Sequence, residues 1–193
     1  MKKVVYIIPG YGETHLKQRS YKKIAQKYIA QGIEPIYVSI DWHKSTPENF
    51  DAYLQEFQSQ YKKPKNTKVY VLGFSFGAII AFLTASKTKP NGLILCSLSP
   101  YFIEDLPSLK PAWVKWFQDT FTKNTYSFHT YASKIKTRTY IVVGDKEGNE
   151  CMTRAKQAKK EIKNSKLVVV EGGKHNINQK EYQAAIEKII KTL

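Results

Sequence analysis

The stretch that decides the fold is Lys68-Val69-Tyr70-Val71-Leu72-Gly73-Phe74-Ser75-Phe76-Gly77-Ala78-Ile79-Ile80-Ala81. Its apolar, β-branched beginning predicts a buried strand, and its Ala- and Ile-rich end predicts a helix. Between them, Gly73, Ser75 and Gly77 form the pattern Gly-x-Ser-x-Gly. In this nucleophile elbow the serine occupies a strained turn, and the residues two before and two after it must be tiny because the strand and helix backbones nearly touch. The pattern predicts that Ser75 is a nucleophile.

The rest of the chain repeats the rhythm of strand and helix. Apolar runs predict six strands, at Val4–Ile8, Pro35–Ile40, Val69–Leu72, Leu93–Ser97, Thr139–Val143 and Leu167–Val170. Amphipathic segments between them predict helices, among them one that starts at Thr46-Pro47 and one around Thr153–Ile162. A last helix is expected from about Gln179, with Tyr182 on its buried stripe. This alternation predicts an open, mostly parallel sheet covered by helices on both faces, which is a three-layer α/β sandwich.

The alternation of strands and helices is interrupted between the fourth and the fifth predicted strand. From Ser99 to about Ile135 the chain is rich in proline and aromatic residues, and it reads as a short helical insertion. We expect one domain over residues 1–193, with this insertion at about 99–135. Its aromatic side chains have two interpretations: they bind an apolar acyl or aromatic substrate, or they cover a small core of the insertion itself. They are Tyr101, Phe102, Trp113, Trp116 and Phe117.

The composition suits one globular domain with a core of its own, since 42% of the 193 residues are hydrophobic. The formal net charge is +15, with 31 Lys and Arg residues against 16 Asp and Glu. Proteins that bind nucleic acid usually use arginine for bidentate contacts to phosphate and guanine. The arginines of this chain are just Arg19, Arg138 and Arg154. We therefore expect no nucleic-acid partner and a lysine-rich solvated surface; steering of anionic substrates is the alternative.

The cysteines and the hydropathy of the chain indicate the cellular compartment in which the protein is expected. Cys96 and Cys151 lie in unrelated contexts and predict no disulfide framework, so a reducing cytoplasm is expected. The apolar run at the N-terminus stops at Pro9-Gly10, which is too early for a signal peptide. No apolar stretch is long enough to predict a membrane span.

Residues with useful chemistry follow directly after four of the strands. Ligands of open parallel sheets bind at the carboxyl ends of the strands, so these residues are expected to converge. A serine hydroxyl needs a base, and the base needs an orienting carboxylate. His175, beside Gly172-Gly173, is the predicted base. Glu147 is the favoured acid; Asp145 is the alternative, and Glu150 is a third candidate.

The other histidines are weaker candidates for a role in the site. His15 follows the first turn and could line a pocket. His43 and His129 are interpreted as surface or packing residues.

A developing oxyanion needs backbone N–H donors. The N–H of Phe76 is the first candidate, because it directly follows the nucleophile at a helix N-terminus. The second is the N–H of Tyr11, in the turn Pro9-Gly10-Tyr11-Gly12-Glu13 after the first strand.

Taken together, these motifs resemble those of the α/β-hydrolases over nearly the whole chain. Pro9-Gly10-Tyr11-Gly12 resembles the family's oxyanion turn, with proline where histidine is common, and Gly172-Gly173-Lys174-His175 resembles its histidine loop. The family's acid commonly stands three residues after a glycine that ends a strand, which corresponds to Glu147; glutamate there is less usual than aspartate. The resemblance implies a minimal member without the first two strands, with sheet order 2-1-3-4-5-6 and the insertion as a short cap.

The function that these observations favour is hydrolysis of a carboxylic ester with a small or apolar acyl group, through an acyl-enzyme and without a metal or organic cofactor. A thioesterase, an acyltransferase or a peptidase would use the same residues. A non-catalytic binding protein on the same fold is the alternative of another class. A polybasic binder of nucleic acid or acidic membranes is a third class, which would use the lysines and ignore the pocket.

Overall fold

The computed structural model describes residues 1–12, 19–42, 48–122 and 126–193. Six strands form the main sheet: β1 Lys2–Ile8, β2 Glu34–Tyr37, β3 Thr67–Phe74, β4 Gly92–Cys96, β5 Thr139–Gly144 and β6 Ser165–Val170. The helices are α1 Arg19–Ile29, α2 Phe50–Gln60, α3 Phe76–Thr88, α4 Pro111–Thr120, α5 Phe128–Ala132, α6 Asn149–Glu161 and α7 Lys180–Ile190.

The six strands are arranged in the order β2-β1-β3-β4-β5-β6, which confirms the predicted order. Every neighbouring pair is parallel. The register between β1 and β3 places Ile8 beside Gly73, so β1 ends next to the elbow. All carboxyl ends therefore meet at one edge of the sheet.

Two hydrophobic clusters lie on opposite faces of the sheet, as expected for three layers. One contains the apolar faces of α1 and α7. The other contains those of α2, α3 and α6 together with aromatic residues between β4 and β5. Helix α3 is buried along nearly its whole length, because it packs between the sheet and that aromatic segment. This burial fixes the helix that follows Ser75.

Some predicted boundaries differ from the observed ones. Strand β2 ends at Tyr37 rather than at Ile40, because the backbone N–H and carbonyl of Ser39 bond to the side chain of Gln60 instead of a neighbouring strand. Helix α6 begins at Asn149, four residues before the predicted start, directly after a turn at Gly148 with φ 103°. The predicted start of α2 at Thr46-Pro47 lies outside the described residues.

The connection between β4 and β5, residues 97–138, contains a 3₁₀ turn at Leu106–Ser108 and helices α4 and α5. A two-residue parallel bridge pairs the backbone of Phe121–Thr122 with that of Glu48–Asn49. A buried ion pair joins the connection to α6: Arg154 donates from Nε to Asp105 over 3.2 Å, and its guanidinium lies 3.9 Å from the ring centre of Phe128. The connection is thus attached to the body of the protein through α6 and through the bridge at Glu48–Asn49.

The elbow glycines sit where backbones are too close for a side chain. A Cβ on Gly73 would lie 2.3 Å from the carbonyl oxygen of Gly77. A Cβ on Gly77 would lie 2.4 Å from the carbonyl oxygens of both Ile8 and Pro9. The first turn of α3 therefore packs directly on the end of β1.

Substitution of Gly77 by alanine is expected to lower the free energy of unfolding by about 3 kcal/mol or more, because the new methyl group meets backbone that cannot move aside. Gly92→Ala is the matched control: its Cβ would contact the side-chain ring of Tyr70, at 2.9 Å, rather than backbone. Urea unfolding followed by circular dichroism measures both. Equal losses of stability in the two variants would contradict the close packing inferred at Gly77.

Candidate active site

The predicted nucleophile stands in a strained turn between β3 and α3. Ser75 has φ 55° and ψ −120°, a conformation that L-residues other than glycine rarely adopt. Its N–H donates to the carbonyl of Cys96 at 2.9 Å, and its own carbonyl accepts from Ala78 at 2.9 Å. The first bond anchors the turn to β4 and the second begins α3. Together they hold the hydroxyl at the carboxyl edge of the sheet.

The imidazole of His175 lies between Ser75 and Glu147. Its Nε2 is 2.9 Å from Ser75 Oγ, and its Nδ1 is 3.0 Å from Glu147 Oε2. An ionised carboxylate can only accept, so Nδ1 carries the proton and Nε2 is free to accept from the serine. The ring packs against that of Phe74, with centroids 5.1 Å apart, and the side chain is 40% exposed.

The loops that carry these residues are joined to each other by backbone contacts. Lys146 N–H donates to the carbonyl of Gly173 at 2.8 Å, and Asp145 N–H donates to that of Val170 at 3.1 Å. A Cβ on Gly144 would lie 2.2 Å from the oxygen of Gly173. The glycine pair after β6 thus allows a close approach to the loop after β5, which brings Glu147 to His175.

The carboxylate of Glu147 is fully buried and richly bonded. Its Oε1 accepts from the backbone N–H of Gly144 at 2.6 Å, from the hydroxyl of Ser97 at 2.9 Å and from the hydroxyl of Tyr182. Burial by itself raises the pKa of this carboxyl, but hydrogen bonds from His175, Tyr182 and Gly144 outweigh burial and hold the pKa below its usual range. Glu147 is therefore ionised at neutral pH.

The other candidates occupy different positions. Asp145 is exposed at the start of the loop, and the carboxylate that contacts His175 is that of Glu147. Glu150 is half-buried at the start of α6 and lines the cavity described below. His129 is exposed, with Nδ1 2.7 Å from a carboxylate oxygen of Glu161.

Some of the predicted positions are not described. His15, His43 and Glu13 lie outside the described residues.

Three residues at the site were not predicted from the sequence, namely Ser97, Ser99 and Tyr182. Tyr182 was expected on the buried stripe of the last helix, where it does lie, but its hydroxyl also reaches Glu147. The Ser97 hydroxyl donates to Glu147, and its oxygen also contacts that of the Tyr182 hydroxyl at 2.7 Å. Its place directly after β4 was the available signal, because the carboxyl ends of the strands converge.

Ser99 contacts the predicted nucleophile, Ser75. Its Oγ is 3.2 Å from Ser75 Oγ, and it is almost fully buried. A hydroxyl has one hydrogen, so when Ser75 donates to His175, Ser99 must be the donor to Ser75. The contact favours the rotamer in which the Ser75 hydroxyl points at the imidazole.

The two residues predicted to supply the oxyanion donors contact each other through their side-chain rings. Phe76 is the first residue of α3, so its N–H has no acceptor within the helix. Tyr11 lies in the turn after β1, and its ring centroid is 5.7 Å from that of Phe76. The preceding residue is fixed by a 3.0 Å bond from Gly10 N–H to the Tyr21 hydroxyl.

A cavity of about 350 Å³ opens beside Ser75. One wall is aromatic and comes from the turn after β1, the start of α3 and the β4–β5 connection; it consists of Tyr11, Phe76, Tyr101, Trp113 and Trp116. The rest of the lining forms a polar wall and includes Ser99, Glu150, Cys151 and His175. A larger groove, of about 830 Å³, runs along β6 and α7 but contains none of the predicted site residues.

The aromatic residues of the insertion divide between the two interpretations. Phe102 and Phe117 are buried in the core, whereas Tyr101, Trp113 and Trp116 line the cavity.

A family model described as serine aminopeptidase, S33, matches residues 1–186. The chain belongs to this family of α/β-hydrolases. Its sequence matches no curated protein. Among the described residues of this α/β-hydrolase, no helix is long and apolar enough to cross a membrane.

Solved structures similar to this hydrolase share its fold at low sequence identity. Est1E from Butyrivibrio proteoclasticus with ferulic acid bound is 17% identical, with a TM-score of 0.78 over 98% of this chain and 88% of that chain. A bromoperoxidase from Bacillus anthracis is 13% identical, with a TM-score of 0.72 over 99% and 91%. A thioesterase domain from the curacin biosynthetic pathway is 16% identical, with a TM-score of 0.68 over 98% and 91%.

Tyr182→Phe is expected to lower the free energy of unfolding at pH 7 by about 1–3 kcal/mol, because it removes a donor from a buried carboxylate. The loss should depend on pH. A lowered folded-state pKa gives stability that is present above the unfolded pKa and lost as pH falls through the folded pKa, so the difference from the wild type should shrink in acid. Chemical denaturation across pH measures this difference.

Tyr28→Phe is the matched control. Tyr28 is also fully buried, but its hydroxyl has no hydrogen-bond partner within the described part of the chain. Its loss should change stability by less than about 0.5 kcal/mol, or raise it, at every pH. If the effect of Tyr182→Phe were as small and as independent of pH, its bond to Glu147 would not support the carboxylate.

Proposed function

We propose that this α/β-hydrolase is a cytoplasmic serine hydrolase that cleaves carboxylic esters of small or apolar acyl groups through an acyl-enzyme. The observation that carries the proposal is the continuous hydrogen-bonded chain from Ser75 Oγ through His175 to the buried, ionised Glu147. The chemistry of each member suits its proposed role: Ser75 supplies the hydroxyl that attacks, His175 the base with a free ring nitrogen, and Glu147 the carboxylate that orients the base.

In the proposed acylation, Ser75 Oγ attacks the ester carbonyl while its proton passes to His175 Nε2. The carboxylate of Glu147 stabilises the imidazolium and holds the ring in place. His175 then donates the proton to the leaving alcohol, and the acyl group remains on the serine.

The oxyanion formed in this step would be held by the backbone N–H groups of Phe76 and Tyr11. Support comes from the first-turn position of Phe76 and from the packing of α3 on the end of β1, which brings the turn at Tyr11 beside it. The N-terminus of a buried helix also favours negative charge. Loss of one such donor costs on the order of 3–4 kcal/mol of transition-state stabilisation.

Deacylation repeats the steps with water. His175 takes a proton from the water, hydroxide attacks the acyl carbon, and Ser75 leaves with the proton returned by His175. No step requires a metal ion or an organic cofactor.

The lining of the cavity favours a substrate with an apolar acyl group. The aromatic wall offers faces and edges to a substrate, whereas the polar wall carries the catalytic groups. We propose that the segment at about 99–135 acts as the cap that completes this cavity. The bound ferulic acid of Est1E, an aromatic acid in a protein of the same fold, is compatible with an aromatic acyl group here.

Peptide hydrolysis is a second candidate. The family model is described as a serine aminopeptidase, and the Glu150 carboxylate in the cavity could attract a substrate's terminal ammonium group. Aminoacyl amides and uncharged acyl esters, tested side by side, separate the two candidates: faster turnover of the amides would favour the peptidase.

The purified protein is expected to react with a fluorophosphonate and gain one adduct, because Ser75 is positioned as an activated nucleophile. Intact mass spectrometry measures the adduct, and Ser75→Ala should abolish it. Ser133→Ala is the matched control, since Ser133 is an exposed serine at the end of α5 and should leave labelling unchanged. No adduct on the folded wild-type protein would overturn the proposed function.

Glu147→Gln is expected to lower kcat/KM for an aryl ester by roughly 10²–10⁴-fold, because an uncharged amide stabilises the imidazolium poorly. Asp145→Asn, its neighbour on the same loop, should change kcat/KM by less than about threefold, since Asp145 is exposed and does not contact His175. Steady-state kinetics of the two variants decides the assignment. A larger loss in Asp145→Asn would make Asp145 the acid.

A further inference from the structure

The catalytic cavity contains a thiol that the proposed mechanism does not use. Cys151 is the third residue of α6, is half-buried and lines the cavity beside His175. One ligand atom from each of Glu147, Cys151 and His175 lies within 4.8 Å of the other two. This cluster joins a carboxylate oxygen, a sulfur and an imidazole nitrogen on one side of the cavity.

The donor set and its spacing suit a thiophilic divalent cation. Sulfur, imidazole nitrogen and carboxylate oxygen are the ligands that Zn²⁺ takes in proteins, at about 2.0–2.3 Å. Ligand atoms around such a tetrahedral ion lie about 3–4 Å apart. His175 Nδ1 and Glu147 Oε2, at 3.0 Å, are already near that separation. The Cys151 sulfur lies within 4.8 Å of one ligand atom on each of the other two residues, so it would have to approach them by roughly 1 Å.

We propose that Glu147, Cys151 and His175 form an inhibitory site for a thiophilic divalent cation, with Zn²⁺ as the expected ion. The cavity provides its entry path, because all three residues line it. The cavity also leaves room for a water molecule as the fourth ligand.

The local charge favours a cation despite the positive net charge of the chain. The carboxylates of Glu147 and Glu150 line the cavity together with the Cys151 thiol. The same carboxylates attract a metal ion into the cavity. Binding would replace the thiol proton: the sulfur–hydrogen bond breaks, the sulfur–metal bond forms and H⁺ leaves to solvent.

Occupation of the site is incompatible with the proposed catalysis. If the ion binds Nδ1, the imidazole loses its bond to Glu147; if it binds Nε2, the imidazole cannot accept the proton of Ser75. Either way the base is lost while the ion is bound. A chelator should restore the base, because coordination of the ion leaves the three side chains covalently unmodified.

Direct binding is tested first, with Co²⁺ as a spectroscopic probe of the resting protein. The wild type should develop the near-ultraviolet absorption of a cobalt–thiolate bond, and both Cys151→Ala and Cys151→Ser should lose it. Cys96→Ala is the matched thiol control, since Cys96 is fully buried in the core and should not contribute. A cobalt–thiolate band that persists in Cys151→Ala, or its absence from the wild type, would overturn the proposal.

Inhibition is the second measurement, and it rests on the proposed hydrolase function. Zn²⁺ should inhibit aryl-ester hydrolysis by the wild type, and a chelator should reverse the inhibition. Each variant is compared with its own activity without metal; Cys151→Ala should need at least about tenfold more Zn²⁺ for half-inhibition. Equal sensitivity of the wild type and the variant would refute the inhibitory role.

The two measurements separate the two proposals. If no ester is cleaved and no fluorophosphonate is bound, the proposed function fails, while the cobalt spectrum of the wild type and of Cys151→Ala still decides the metal site.

Discussion

The first turn of α3 lies against the end of β1 at a distance that leaves no room for a side chain at Gly77. Much of the site follows from this contact. It sets Ser75 in its strained turn at the edge of the sheet, places the N–H of Phe76 at a buried helix start, and brings the turn at Tyr11 beside it. The strain at Ser75 is tolerated because α3 is packed on all sides, so the body of the protein holds the turn that a short peptide would relax.

The second constraint is the burial of a carboxylate. An unpaired charge at the position of Glu147 would be strongly destabilising. Hydrogen-bond donors from three parts of the chain stabilise the carboxylate: the end of β5, the residue after β4 and the face of α7. The longer side chain of glutamate lets the carboxylate turn back to the N–H of Gly144 while Oε2 still faces His175. The orientation of the imidazole thus depends on contacts far apart in the sequence.

The proposed catalytic groups lie beside a segment that is attached to helix α6. The aromatic wall comes largely from the β4–β5 connection, which the buried pair of Asp105 and Arg154 ties to α6. Helix α6 in turn carries Cys151 into the cavity. A shift of this helix would therefore alter the aromatic wall and the proposed metal site together, so the proposed substrate binding and metal inhibition would both depend on the position of α6.

The sequence by itself determined the alternation of strands and helices and the identities of Ser75 and His175 as candidates, because hydrophobic periodicity and the tiny residues of the elbow are local signals. The strand order was implied only by the resemblance to the α/β-hydrolases. It left Glu147 and Asp145 open, since both follow the same strand and only the packing of Gly144 on Gly173 decides which carboxylate faces the imidazole. It did not predict the contacts of Ser97, Ser99 and Tyr182 at the site, or the place of Cys151 beside His175. Those contacts join residues 24 to 85 positions apart, and only the tertiary structure, by bringing the strand ends to one edge, could decide them.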